Sequence, residues 1–194
     1  MAHKPVTADK ELQEGPSCLV VASPWGDIVI RGEKDVIRSI RFQPGQVNQN
    51  ADTADWADRC RQQFAAYCRG DLQIFDLPIK PLGTDFQQQV WLALQNIPYG
   101  ELSSYQQLAE AIGNGAAVRA VASANARNPI SIVIPCHRVI GSDRALRGYA
   151  GGVDIKAALL RHEGCQLQDG DINERTRVQL NAESGQQNLC FTAN

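Results

Sequence analysis

Ser103-Ser104-Tyr105-Gln106-Gln107-Leu108-Ala109-Glu110-Ala111-Ile112-Gly113-Asn114-Gly115-Ala116-Ala117-Val118-Arg119-Ala120-Val121-Ala122-Ser123-Ala124 sets the architecture of the chain's second half. Ser103 and Gln106 have capping-box spacing ahead of Leu108, Ala109 and Ile112, which predicts a short helix. Gly113-Asn114-Gly115 tolerates positive φ and ends it. A second short helix follows from about Ala116 to Ala124. Two short helices joined by a glycine-containing turn form the helix-turn-helix pattern, which αα-hairpins of ordinary cores share. Arg119 is the only charge on the second helix. Small side chains there permit close approach to a backbone, but too few donors are present to read base edges, so any DNA contact is expected to ignore sequence.

Towards the amino terminus, Thr84 or Asp85 caps a helix whose apolar residues Phe86, Val90, Trp91, Leu94 and Ile97 share one face, and Pro98-Tyr99-Gly100 stops it. Pro78, Pro81 and Gly83 mark residues 78–83 as a linker. Before it, strands are expected at Cys18 to Ala22, Asp27 to Arg31 and Asp35 to Phe42, the first two joined by the Ser23-Pro24-Trp25-Gly26 turn. A helix from Trp56 to Arg69 follows, with Cys60, Phe64, Tyr67 and Cys68 as packing residues. The expected fold class is α/β: a small α/β domain over 17–77 and a mostly helical domain over 84–165. Residues 1–16 and 166–194 are polar and patternless and are expected to be flexible tails.

Nineteen Lys and Arg against 21 Asp and Glu leave a net charge of −2, so no global field attracts a polyanion. Five of the seven basic residues between Thr84 and Gly164 lie between Arg119 and Arg147, so any nucleic-acid face is local. No stretch approaches the roughly 20 apolar residues of a membrane span, and the start lacks an apolar signal core. A soluble cytoplasmic monomer is expected. Six scattered cysteines form neither a zinc ribbon nor a disulfide scaffold, and with only His3, His137 and His162 available, no metal is expected.

The chemistry concentrates in one segment. After Asn128-Pro129 the apolar run Ile130-Ser131-Ile132-Val133-Ile134 gives way to Pro135-Cys136-His137-Arg138-Val139. A cysteine becomes nucleophilic beside a base or positive charge, which His137, Arg138 and the local backbone offer. Glu163, in His162-Glu163-Gly164 after a helical run, is a candidate to orient His137. A cysteine hydrolase and a winged-helix regulator with an alkylation- or redox-sensing cysteine use similar ingredients.

Pro135-Cys136-His137-Arg138-Val139, Tyr149-Ala150-Gly151-Gly152, Lys156, Leu159 to Gly164, Pro98-Tyr99-Gly100 and Ser104 to Ala109 together resemble the O6-alkylguanine-DNA alkyltransferases, the methylated-DNA-protein-cysteine methyltransferases. The resemblance is close over about Thr84 to Cys165. Further forward, only the Ser-Pro-Trp-Gly turn matches. It implies a ribonuclease-H-like first domain and a winged-helix second domain.

By the same resemblance, Cys136 is the alkyl acceptor, His137 its water-linked base and Glu163 the carboxylate orienting that base. Tyr105 assists the departing guanine, Arg119 fills the space of a flipped nucleotide, and Asn128 is the hinge between recognition helix and active-site loop. Arg127 and Arg138 are candidate further DNA contacts, while Val139, Tyr149 and Ala150 line the base pocket. Ala150 departs from the serine of some relatives. The implied partner is double-stranded DNA carrying O6-alkylguanine, with O4-alkylthymine as a further candidate substrate, and no cofactor is needed.

Overall fold

The computed structural model describes residues 17–33, 35–43 and 54–179. The expected tail at 1–16 lies outside them, as do residues 180–194. Three antiparallel strands, β1 (Ser17–Val21), β2 (Ile28–Gly32) and β3 (Ile37–Phe42), form a sheet in sequence order. Leu19 pairs with Ile30 and Ile30 with Ile40, so one face is a row of branched apolar side chains, all buried. On that sheet packs α1 (Ala57–Arg69), whose buried residues Ala57, Cys60, Phe64 and Tyr67 recur at helical spacing. Gly70, at φ +81°, ends it in the left-handed conformation that glycine adopts without strain.

The second half holds α2 (Asp85–Gln95), α3 (Tyr105–Ala111), α4 (Val118–Ala126) and α5 (Val153–His162), with two-residue strands β4 (Ser103–Ser104) and β5 (Val139–Ile140) paired in parallel. Thr84 and Gln87 form the capping box of α2. Gly83 is required just ahead of it, because a Cβ there would stand 2.5 Å from the Trp91 ring. Ser104 and Gln107 cap α3, one residue later than the spacing from Ser103 suggests. The next helix likewise begins at Val118 instead of Ala116. Helices α2, α3 and α4 pack against one another, and the Trp91 indole donates to the Ala124 carbonyl at 2.9 Å.

β3 joins the two halves. Its backbone accepts the linker at Ile37, which donates to Pro78 O and receives from Lys80 N, and the approach to Cys136 at Ile40, which donates to Pro129 O and receives from Ser131 N. One apolar core therefore runs from Leu19, Trp56 and Phe64 through Trp91 and Leu108 to Ile130 and Ile134. The linker is an added edge of the sheet.

Residues 166–179 differ from the expected flexible tail. Leu167 and Val178 are buried in a second cluster with Ile140, Leu146, Ala157, Leu160 and Cys165. The backbone bonds Leu146 N to Thr176 O, Arg147 N to Glu174 O and Val178 N to Arg144 O fasten this segment to the loop after β5. Irregular backbone pairing carries no sequence period, so the segment reads as unstructured. Leu167→Ala should accordingly lower unfolding free energy by about 2 kcal/mol in urea titration. A residue on a solvated tail would change it by about 0.5 kcal/mol or less.

Candidate active site

The chain reaches Cys136 through a tightly wound loop. Past the end of α4, Pro129 and Ser131 pair with Ile40, and the chain turns at Ile132 with φ +70°. That conformation costs a β-branched residue about 1–3 kcal/mol, offset here by burying its side chain in the core. Ile134 N then bonds back to Ile130 O, and Cys136–Arg138 close a single 3-10 turn. The buried side chain of Asn128 ties this loop together. Its Oδ1 accepts from Ile130 N, and its Nδ2 lies 3.2 Å from Ile130 O, 2.8 Å from Ile134 O and 3.0 Å from Cys136 Sγ. Two amide protons are shared among three acceptors, so the sulfur competes with two carbonyls for its donor.

The 3-10 turn sends His137 and Arg138 inward to one carboxylate. Glu163, at the carboxyl end of α5, receives Arg138 Nε at Oε2 (2.8 Å) and Arg138 Nη2 at Oε1 (2.9 Å). His137 Nε2 stands 2.9 Å from Oε1, and the Tyr67 hydroxyl donates to the same oxygen at 2.8 Å. Burial pushes the Glu163 carboxyl up, but His137 and then Arg138 together outweigh it and hold the group well below the usual range. An ionised carboxylate only accepts, so His137 Nε2 carries the proton. Nδ1 is then a bare lone pair, buried and without a hydrogen-bond partner among the described residues. Burial outweighs Glu163 and pushes the imidazole pKa down, so this histidine is neutral and able to accept a proton.

Burial likewise pushes the Cys136 thiol up, opposed by the Asn128 amide and the Lys156 ammonium. Lys156 is itself buried, donates to Val139 O (2.7 Å) and Leu146 O, and is pushed down to about 8 by desolvation, with Cys136 acting against that. The nearby cation acting on the sulfur is thus Lys156, because Arg138 is committed to Glu163. Burial, with Cys136 adding to it, raises the Tyr105 phenol and keeps it a proton donor. The parallel pairing of β4 with β5 carries Tyr105 alongside the strand that follows the thiol.

Residues 85–165 match the family model described as "6-O-methylguanine DNA methyltransferase, DNA binding domain". The methylated-DNA–protein-cysteine methyltransferase of Methanosarcina barkeri is 46% identical over 150 residues, spanning 74% of this chain and 94% of that protein. The chain belongs to this methyltransferase family. The Mycobacterium tuberculosis member is 42% identical, over 74% of this chain and 89% of its own. A crystal structure of the M. tuberculosis O6-methylguanine methyltransferase superposes with a TM-score of 0.69, at 38% identity over 77% of this chain and 93% of that one. The same organism's OGT in complex with DNA gives 0.66, at 41% identity over 74% and 90%.

Within the methyltransferase family's matched region, the structure brings Cys136, His137, Glu163, Asn128 and Val139 together in the interior, with Tyr105 half-buried beside them. The Tyr149 hydroxyl is buried close to Cys136 and Ser131 but meets hydrogen-bond geometry with no group among the described residues, while Ala150 is exposed. Arg119 and Arg127 are exposed on or just past α4, the latter bonded to the Ser123 hydroxyl. Arg138 is a correction: it is 6% exposed and spends its guanidinium on Glu163 and the Ile97 carbonyl, so it is not available to phosphate. Among the described residues, no group of His, Cys, Asp and Glu is arranged to hold a metal ion.

Two residues of the site escape the sequence reading of roles, Lys156 and Tyr67. A tyrosine on the apolar face of α1 was the available signal for the second, since a buried phenol seeks a partner. Removing one member of a buried ion pair strands the other, so Arg138→Gln should cost about 3–5 kcal/mol in chemical denaturation. A loss below about 1 kcal/mol, as for an exposed pair, would contradict the buried assignment.

Proposed function

We propose that this protein repairs alkylated DNA by moving the alkyl group of O6-alkylguanine onto Sγ of Cys136, once and irreversibly. The observation that carries this reading is a buried thiol on the same 3-10 turn as a buried imidazole whose Nδ1 has no hydrogen-bond partner among the described residues. His137 takes the thiol proton through a bridging water as Sγ attacks the alkyl carbon. The carbon–oxygen bond breaks, and the departing guanine oxyanion takes a proton from the Tyr105 phenol. Glu163 fixes the tautomer of His137, and Lys156 stabilises the thiolate as it forms. The product is a thioether, which no second nucleophile hydrolyses, so each molecule acts once. The step balances without a cofactor.

Cys136 is only 3% exposed, so a base within a duplex cannot reach it and must leave the stack. In this reading Arg119, exposed in the first turn of α4, fills the gap, and Arg127 meets phosphate. Val139, Tyr149 and Ala150 hold the base. The α2–α4 helices with β4 and β5 act as a winged-helix domain over 84–165, and 17–77 as a ribonuclease-H-like domain, joined through 78–83. The protein is read as a cytoplasmic monomer whose partner is double-stranded DNA bearing O6-alkylguanine, with O4-alkylthymine as a second substrate.

Intact mass after incubation with DNA carrying one O6-methylguanine should rise by about 14 Da, as S–H becomes S–CH₃. Cys136→Ala should show no gain while still binding the DNA, and label on Cys18, Cys60 or Cys165 would refute the site. Arg119→Ala should slow repair in duplex by roughly tenfold or more, because only the duplex requires an extrahelical base to be supported. Reaction with free O6-alkylguanine should be unchanged, and equal losses on both substrates would remove Arg119 from that role.

A further inference from the structure

We infer that Tyr67, on the helix of the amino-terminal half, is a positioning and tuning residue for the base: its hydroxyl restrains Glu163 so that His137 stays uncharged. This rests on the reading of His137 as base and Glu163 as its carboxylate. Oε1 of Glu163 is shared by three donors, His137 Nε2, Arg138 Nη2 and Tyr67 OH, all within 2.9 Å. A buried carboxylate beside an imidazole with no other partner would hold the imidazolium, and an imidazolium cannot take a proton from the thiol. Each further donor draws negative charge from the oxygen that faces His137. Tyr67 adds one from 96 residues away in sequence.

The phenol is held for this task. Its ring stacks edge-on against Trp25 (5.8 Å between centroids) and His162 (5.0 Å), and leans on Phe75 (5.3 Å). Its own carbonyl accepts from His162 Nε2 at 2.7 Å, so the residue is clamped at ring and backbone. The other charges acting on His137 are Glu163 itself, Arg138 on its own turn and Lys156 on α5. Tyr99, Tyr149 and Cys165 also feel the carboxylate, each with its proton held on by burial. None of these three is bonded to Oε1, which among the described residues leaves Tyr67 as the neutral donor on the shared oxygen other than the base itself.

Removing the hydroxyl returns charge to Oε1 and makes His137 more basic, so it protonates at higher pH; removing the carboxylate does the opposite. With three histidines in the chain, ring-nitrogen chemical shifts can follow His137 through a pH titration of the full-length protein. Tyr67→Phe should raise its protonation midpoint by about 0.5–1 pH unit, and the acid limb of the single-turnover rate should move up with it. Glu163→Gln should lower the midpoint. A midpoint unchanged or lowered in Tyr67→Phe would overturn the inference, and so would one unmoved in Glu163→Gln. Should Tyr67→Phe not fold, 3-fluorotyrosine placed at position 67 keeps the ring and is a stronger donor; it should lower the midpoint, and no movement would again overturn the inference. Failure of the alkyl-transfer reading is separate, because it shows as no mass gain on Cys136 whatever His137 does.

Discussion

One ionised carboxylate, buried where no water can solvate it, constrains much of this structure. A lone carboxylate in an apolar interior is untenable, so the chain must deliver donors to Glu163 from every direction. It does so from α1, from the turn at Cys136 and from the backbone at Gly100, whose N–H lies 3.5 Å from Oε2. Those sources belong to distant parts of the sequence. Meeting the needs of one side chain therefore fixes the angle of the active-site turn, the seat of α5 and the contact between the two halves.

The arrangement also explains a thiol that is neutral at rest. Burial dominates the thiol, the phenols and the imidazole around Cys136, raising the first two and lowering the last, while its donors keep Glu163 ionised. A resting thiolate would be open to oxidation and to any small electrophile. Keeping the proton on sulfur until a base is seated opposite it couples reactivity to the presence of the substrate. The backbone loop supports this by enclosing the sulfur, with Asn128 as its clasp and a strained Ile132 as its corner.

Local chemistry was legible in the sequence because it depends on neighbours along the chain. The caps, the glycine at the end of α1 and the helix pair all appear within a few residues of where the pattern places them. Cap choice between Ser103 and Ser104 was beyond reach, since both carry the same hydroxyl and the register is decided by the pairing of Ser103 with Val139. The thiol, imidazole and carboxylate could be singled out as candidates from local chemistry and from family likeness, and the structure brings them together. Arg138 was not: an arginine beside a cysteine looks solvent-facing until a 3-10 turn rotates it inward. Tyr67 and residues 166–179 share a different obstacle, because their partners lie far along the chain and neither makes a periodic element with them.

The likeness to the family model stops at Cys165, but folding does not. Residues 166–179 form backbone bonds to the loop at 144–147, just ahead of Tyr149 and Ala150, and fill the apolar cluster beneath it. That loop is thus fastened in part from beyond the stretch that the family model matches. A chain with the same residues around Cys136 but a different segment here would have to hold that loop by other bonds.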